Sequence, residues 1–107
     1  VEGILITRLA EGDPWPRRWD LSAERAPDIL RAITSLCAWG LWSPDLNATN
    51  VMLPHQGGAL LLDWDRAGFE PPDVDLWPRY RARLERSLNK LGAPSEVVAL
   101  MGAASRP

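Results

Sequence analysis

The sequence has a single cysteine, Cys37, so no disulfide can form within the chain. That excludes a cystine-stapled scaffold and fits a reducing compartment, with the cytoplasm as the expected setting. No apolar run approaches the ~18 residues of a membrane span, and no basic stretch leads into a signal-type apolar core. Neither a transmembrane helix nor an export signal is expected. Charge of one sign is also lacking: 12 Lys and Arg stand against 14 Asp and Glu, a formal net charge of -2. The chain as a whole therefore has no pull toward nucleic acid or an anionic surface, although local clusters can act differently. An initiator methionine is missing too. The opening Val1-Glu2-Gly3 leads into residues 3–9, which read as a strand arriving from elsewhere, so a partial chain is expected. No internal repeat or low-complexity segment is seen.

What is present suits one globular domain. The 107 residues are 46% apolar and 24% charged, ordinary values for a folded chain of this size. Six tryptophans are many for this length. Large amphipathic rings of this kind line pockets and interfaces, or fill the core.

Residues 4–7 are short and β-branched, an edge or hinge strand, and residues 8–18, with Gly12, Pro14 and Pro16, read as a loop. Ser22 is a candidate N-cap for a helix reaching about Trp39, with Pro27 placed early in it. Ile29, Leu30, Ile33, Leu36 and Cys37 step by three and four, giving one buried stripe, and Gly40 is placed to stop the helix. Residues 41–50 are polar and turn-rich. Two apolar runs, 51–53 and 59–62, flank Pro54-His55-Gln56-Gly57-Gly58 and predict a hairpin. Residues 68–75 read as a loop, residues 78–91 as a helix by the spacing of Tyr80, Leu84, Leu88 and Leu91, and Ser95 as the cap of a last short helix through Met101.

The hairpin brings chemistry together. A turn centred between Gln56 and Gly57 sets Asn50 opposite Asp63, where Cα atoms lie ~4.5 to 5.5 Å apart. An amide oxygen and a carboxylate at that separation can share a cation, and Mg²⁺ commonly takes only one or two such protein groups. Asp45, five residues before Asn50 in a connecting loop, can approach the same place and deprotonate an attacking hydroxyl. The bland alternative is that all three are turn and hairpin-end residues, which Asx side chains favour. His55 lies at the turn tip, away from these acids, and reads as a solvated turn residue. Arg79, Arg83, Arg86 and Lys90 recur at four, three and four, a basic face beside the apolar stripe. It is either a soluble surface or a rest for anionic groups. Arg17, Arg18 and Trp19 form a second basic-aromatic spot.

Pro44-Asp45-Leu46-Asn47-Ala48-Thr49-Asn50-Val51-Met52-Leu53 resembles the kinase catalytic loop H-x-D-L-x-x-x-N, and Leu62-Asp63-Trp64 resembles the metal-binding D-F-G position. Asp45-Leu46-Asn47 taken with Leu62-Asp63-Trp64-Asp65-Arg66-Ala67 is similar to the 3-deoxy-D-manno-octulosonic acid (Kdo) kinases of lipopolysaccharide core assembly. Leu5-Ile6-Thr7-Arg8 and the run from Arg83 through Lys90 extend the similarity over nearly the whole chain.

The resemblance implies an α+β chain forming a protein-kinase-like C-terminal lobe over residues 1–107. It would be mainly helical with a short catalytic hairpin, a catalytic loop at 43–50 and a metal-binding segment at 63–66. It implies transfer of the γ-phosphate of ATP, with Mg²⁺, to a Kdo hydroxyl on a lipid A precursor at the cytoplasmic face of the inner membrane, where the protein would be peripheral; nucleic acid is not an expected partner. Asp45 would be catalytic, Asn50 and Asp63 would hold magnesium, and Asp65 and Arg66 would stand beside the metal, with Arg66 meeting an anionic group of ATP or Kdo. The pair 65–66 could equally be surface charge. Ser43 stands where the family has histidine, which bears on loop rigidity. Nothing before Val1 supplies a glycine-rich loop or strand lysine, so the chain alone is expected to turn over little or not at all. Related readings are an aminoglycoside- or choline-kinase-like phosphotransferase and, in a different class, a noncatalytic remnant or binding module.

Overall fold

The three-and-four spacing of Ile29, Ile33 and Leu36 produces the longest element of the computed structural model, helix α1 (Ser22–Trp39), which buries all three. The structure describes residues 11–62 and 65–102. The strand expected at residues 4–7, and with it Asp63 and Trp64, lies outside the described residues. Gly40 ends α1 in the left-handed region, with φ 67°, and its N–H caps carbonyls of the last turn.

The start of α1 departs from the expected cap. The chain enters through two 3-10 turns, Trp15–Arg17 and Trp19–Leu21. The Ser22 hydroxyl then accepts a hydrogen bond from the Trp15 indole Nε1 at 2.7 Å and does not cap the helix. Trp15 is fully buried, so its donor requires an internal acceptor, and Ser22 meets that need. Pro27 lies deeper inside α1 than a first-turn proline would.

Among the described residues run five short strands: β1 (Gly12–Pro14), β2 (Leu41–Trp42), β3 (Val51–Pro54), β4 (Leu60–Leu61) and β5 (Gly68–Phe69). They form two antiparallel sheets, one ordered β1-β3-β4 and one pairing β2 with β5. β1 and β5 arise in segments that the sequence marks as loops. β1 exists because Gly12 lets two backbones meet: a Cβ there would fall 2.3 Å from the Leu53 carbonyl oxygen. Pro14 is tolerated at the end of this outer strand, where its missing N–H matters least.

The β3–β4 hairpin is one residue out of the expected register. Val51 faces Leu61 and Met52 faces Leu60, so Asn50 falls opposite Leu62, whose N–H donates to the Asn50 carbonyl at 2.7 Å. The cause is the turn. Gly57 and Gly58 take φ of 124° and 86° in the turn, and the pairing register is centred on Gln56 and not between Gln56 and Gly57. Arg25, only 6% exposed, fixes that loop from α1 by donating from Nη1 to the carbonyls of Pro54 (2.7 Å) and Gly58 (3.0 Å).

Helices α2 (Trp77–Lys90) and α3 (Ser95–Gly102) complete an α+β domain with three α-helices among the described residues. Trp77, Tyr80, Leu84 and Leu88 are the buried stripe of α2, while Leu91, expected in that stripe, is 41% exposed beyond the helix end. Val97 and Met101 of α3, Ile29 and Ile33 of α1 and Val51 and Leu53 of β3 close the core around it. Among the described residues no helix is long and apolar enough to cross a membrane.

Gly12→Ala should destabilise the domain by about 1–3 kcal/mol in urea unfolding, because the clash is with backbone that cannot turn away. Gly68→Ala meets open space and should change stability by no more than about 0.5 kcal/mol. Equal effects at the two positions would contradict the β1–β3 contact.

Candidate active site

Helix α2 holds the loop between β2 and β3 at two points. The Tyr80 side chain is fully buried, and its hydroxyl donates to the Leu41 carbonyl while accepting the Ser43 N–H at 2.8 Å. Burial pushes the Tyr80 phenol above its ordinary pKa. About two turns further along the helix, Ser87 Oγ accepts the Ala48 N–H at 3.0 Å and donates to the Leu84 carbonyl at 2.9 Å. Between these anchors Leu46 drops into the core, 2% exposed, a burial that contributes roughly 1.5–3 kcal/mol. Ser43, in the position where the resembled family has histidine, is itself buried. The backbone here is thus fastened by Tyr80 and Ser87.

Within the loop, the Asp45 carbonyl accepts two side-chain amides, Asn47 Nδ2 at 3.1 Å and Asn50 Nδ2 at 2.8 Å. Asn47 Oδ1 in turn caps the 3-10 turn Ala48–Asn50, accepting from the Thr49 N–H at 2.9 Å and from the Thr49 hydroxyl. These bonds tie Asp45 and Asn50 to one another whatever the hairpin register. With Nδ2 committed to Asp45, Oδ1 of Asn50 is its acceptor atom, a hard amide oxygen of the kind magnesium binds.

The Asp45 carboxylate meets Arg66 in a two-pronged pair: Arg66 Nε donates to Oδ2 at 3.0 Å and Nη2 donates to Oδ1. Arg66 reaches it from the segment after β4, with its own side chain 67% exposed against 18% for Asp45. The hydrogen bonds from Arg66 hold the Asp45 carboxyl below its ordinary pKa, assisted by the charges of Arg66 and Arg83 and opposed by desolvation.

Three of the residues singled out by the sequence, Asp45, Asn50 and Arg66, therefore lie together. Asp65 does not join them: it is exposed and makes no hydrogen bond or ion pair among the described residues. His55 stands apart, 3.4 Å from Asp13. Among the described residues no three His, Cys, Asp or Glu side chains cluster as a metal site. Of the two expected magnesium ligands the described residues contain Asn50, whose donor atom suits that ion, and the second, Asp63, lies outside them.

Sequence reasoning gave Tyr80, Ser87 and Asn47 no individual role at the site. Tyr80 did carry a signal, as the polar-tipped member of an otherwise aliphatic stripe, since a buried phenol needs a partner. Ser87, seven residues on, shares its side of the helix. Comparison with family models, with curated proteins and with solved structures finds no match to this chain.

Because the Asp45 pKa is lowered on folding, the pair adds stability above the ordinary aspartate range and loses it as pH falls through the lower folded value. Arg66→Gln should raise the Asp45 value, read by carboxyl ¹³C NMR, and should flatten that part of the acid-unfolding curve. An unchanged Asp45 titration would show that Arg66 does not pair with it in solution.

Proposed function

We propose that this chain is a protein-kinase-like phosphotransferase C-terminal lobe of the Kdo-kinase type, transferring the γ-phosphate of ATP to a Kdo hydroxyl on a lipid A precursor. The observation that supports it is the fastening of Asn50 to Asp45. One loop offers a carboxylate base and a magnesium-type amide oxygen, already oriented by Asn50 Nδ2 on the Asp45 carbonyl. Preorganisation of this sort is what phosphoryl transfer requires, since positioning and charge compensation supply most of its rate.

In this reading Asp45 accepts the proton of the acceptor hydroxyl as its oxygen bonds to the γ-phosphorus and ADP leaves. Asn50 and Asp63 would hold magnesium, and the ion would neutralise charge on the phosphates. Arg66, with Asp65 beside it, serves the anionic groups of ATP or Kdo. Arg66 must first release Asp45, because a carboxylate with both oxygens engaged is a poor base. A phosphate oxygen is a suitable new partner for the guanidinium. The reaction would take place at the cytoplasmic face of an inner membrane, where the acceptor lipid resides.

The same Arg66–Asp45 pair favours a second reading, a noncatalytic binding module in which the pair is permanent. The two readings differ in outcome. In the product of the complete reading frame that carries these residues, Mg²⁺-dependent transfer from ATP to a Kdo-bearing lipid acceptor is expected, and Asp45→Asn should lower kcat by about 10²–10⁴ with little change in KM for ATP. Full activity in that variant would remove Asp45 from catalysis, and absence of both transfer and Mg²⁺-ATP binding in the parent would favour the noncatalytic module. Transfer to an aminoglycoside or choline in place of the Kdo lipid would keep the reaction and change the acceptor.

A further inference from the structure

The basic face that the sequence sets along α2 divides in the structure. Arg79 turns away from the rest: its guanidinium lies 4.1 Å from the Trp42 ring centroid, and Nη1 pairs with Glu70 at 3.4 Å. Arg83, Arg86 and Lys90 remain. They line a groove of about 320 Å³ between α2 and the catalytic-type loop, where Asn47, Thr49 and Ser87 contribute the rest of its polar lining. That volume is at the lower end of what small-molecule sites use.

Among the described residues no carboxylate lines the groove. Arg18, Arg31, Arg66 and Arg79 each pair with an acid, whereas Arg83, Arg86 and Lys90 form no ion pair among the described residues. Three like charges around one recess repel each other, and only an anion relieves that repulsion from within. Moreover, Arg83 Nε is buried and makes no hydrogen bond among the described residues. A desolvated cationic donor with no acceptor is costly, and native structures rarely leave one unmet. Guanidinium groups three residues apart on a helix present adjacent forks, which suits the tetrahedral oxygens of a phosphate.

We propose that this groove is a binding subsite for a dianionic phosphate monoester, held by Arg83, Arg86 and Lys90. Resting on the phosphotransferase reading, it is the subsite for an anionic group of the acceptor, because Thr49 and Asn47 in its wall belong to the loop that carries Asp45. The phosphate could arrive on a soluble sugar or on a lipid headgroup; the chemistry of recognition is the same.

The test is a titration of the ¹⁵N-labelled chain with inorganic phosphate at constant ionic strength. Saturable shifts are expected at the Ala48, Thr49 and Ser87 amides and at the Arg83 Nε–H. Arg83→Gln combined with Arg86→Gln should weaken binding by about tenfold or more, with the Tyr80 and Leu84 amides left in place to report an intact fold. If that double variant fails to fold, Lys90→Gln, at an exposed position, should still weaken binding severalfold. Vesicles of phosphatidylcholine with and without phosphatidic acid form a second arm. Phosphatidic acid acting on the same resonances assigns a lipid source, and inorganic phosphate acting alone assigns a soluble one. No saturable shift with either probe, shifts confined to other surfaces, or undiminished binding in the folded variants would overturn the subsite. Phosphoryl transfer is not read in this titration. Phosphate binding here, together with no transfer by the product of the complete reading frame, would refute the proposed function and leave the subsite standing.

Discussion

The two side-chain anchors from α2, Tyr80 at Ser43 and Ser87 at Ala48, are the constraint on which the site depends. Each satisfies a loop amide, one of them from a fully buried phenol, so the loop cannot lift from the helix without leaving polar groups unmet. The helix is in turn held by its own stripe, Trp77, Tyr80, Leu84 and Leu88, packed against the core. Core packing therefore reaches the site through a short path: stripe, anchor, loop backbone. Leu46 strengthens that path by packing into the core beside Asp45.

On that base the polar groups assume separate tasks. The Asp45 carbonyl is used structurally, by Asn47 and Asn50, while the Asp45 carboxylate is left for charged partners. Arg66 occupies it here from a mostly exposed position. Since exposed ion pairs are weak and competed for by other anions, this one is suited to exchange on binding. Of the groove cations, Arg83 also acts on Asp45 through its charge. Hydrogen bonds from Arg66 and the charges of Arg66 and Arg83 lower the Asp45 pKa, and a carboxylate kept ionised near neutral pH is in the right state to accept a hydrogen bond from a hydroxyl.

Much of the helical framework was legible because its signals are local. Ile29, Ile33 and Leu36 mark α1, Tyr80, Leu84 and Leu88 mark α2, and Gly40 takes the left-handed conformation its position suggests. β1 was not legible, since Gly-Asp-Pro has poor strand propensity and pairs only because Gly12 tolerates the approach of Leu53. The hairpin itself was foreseen, and its register is shifted by one around a turn that carries two positive-φ glycines. At the site, the spacing of Asp45 and Asn50 was visible, but the reason they meet was not. Their link is a side chain bonded to backbone within the loop, and the anchors come from residues 37 and 39 positions away. Pattern reading along a chain has no access to such distant partners.

The central claim, that α2 presets this loop before any ligand arrives, is tested most directly by amide hydrogen exchange at Ser43 and Ala48 in the ligand-free chain. Both amides should be protected to a degree comparable with Leu84 and Leu88 inside α2, and Tyr80→Phe should strip protection selectively from Ser43. Exchange of Ser43 and Ala48 at open-loop rates while α2 stays protected would contradict it.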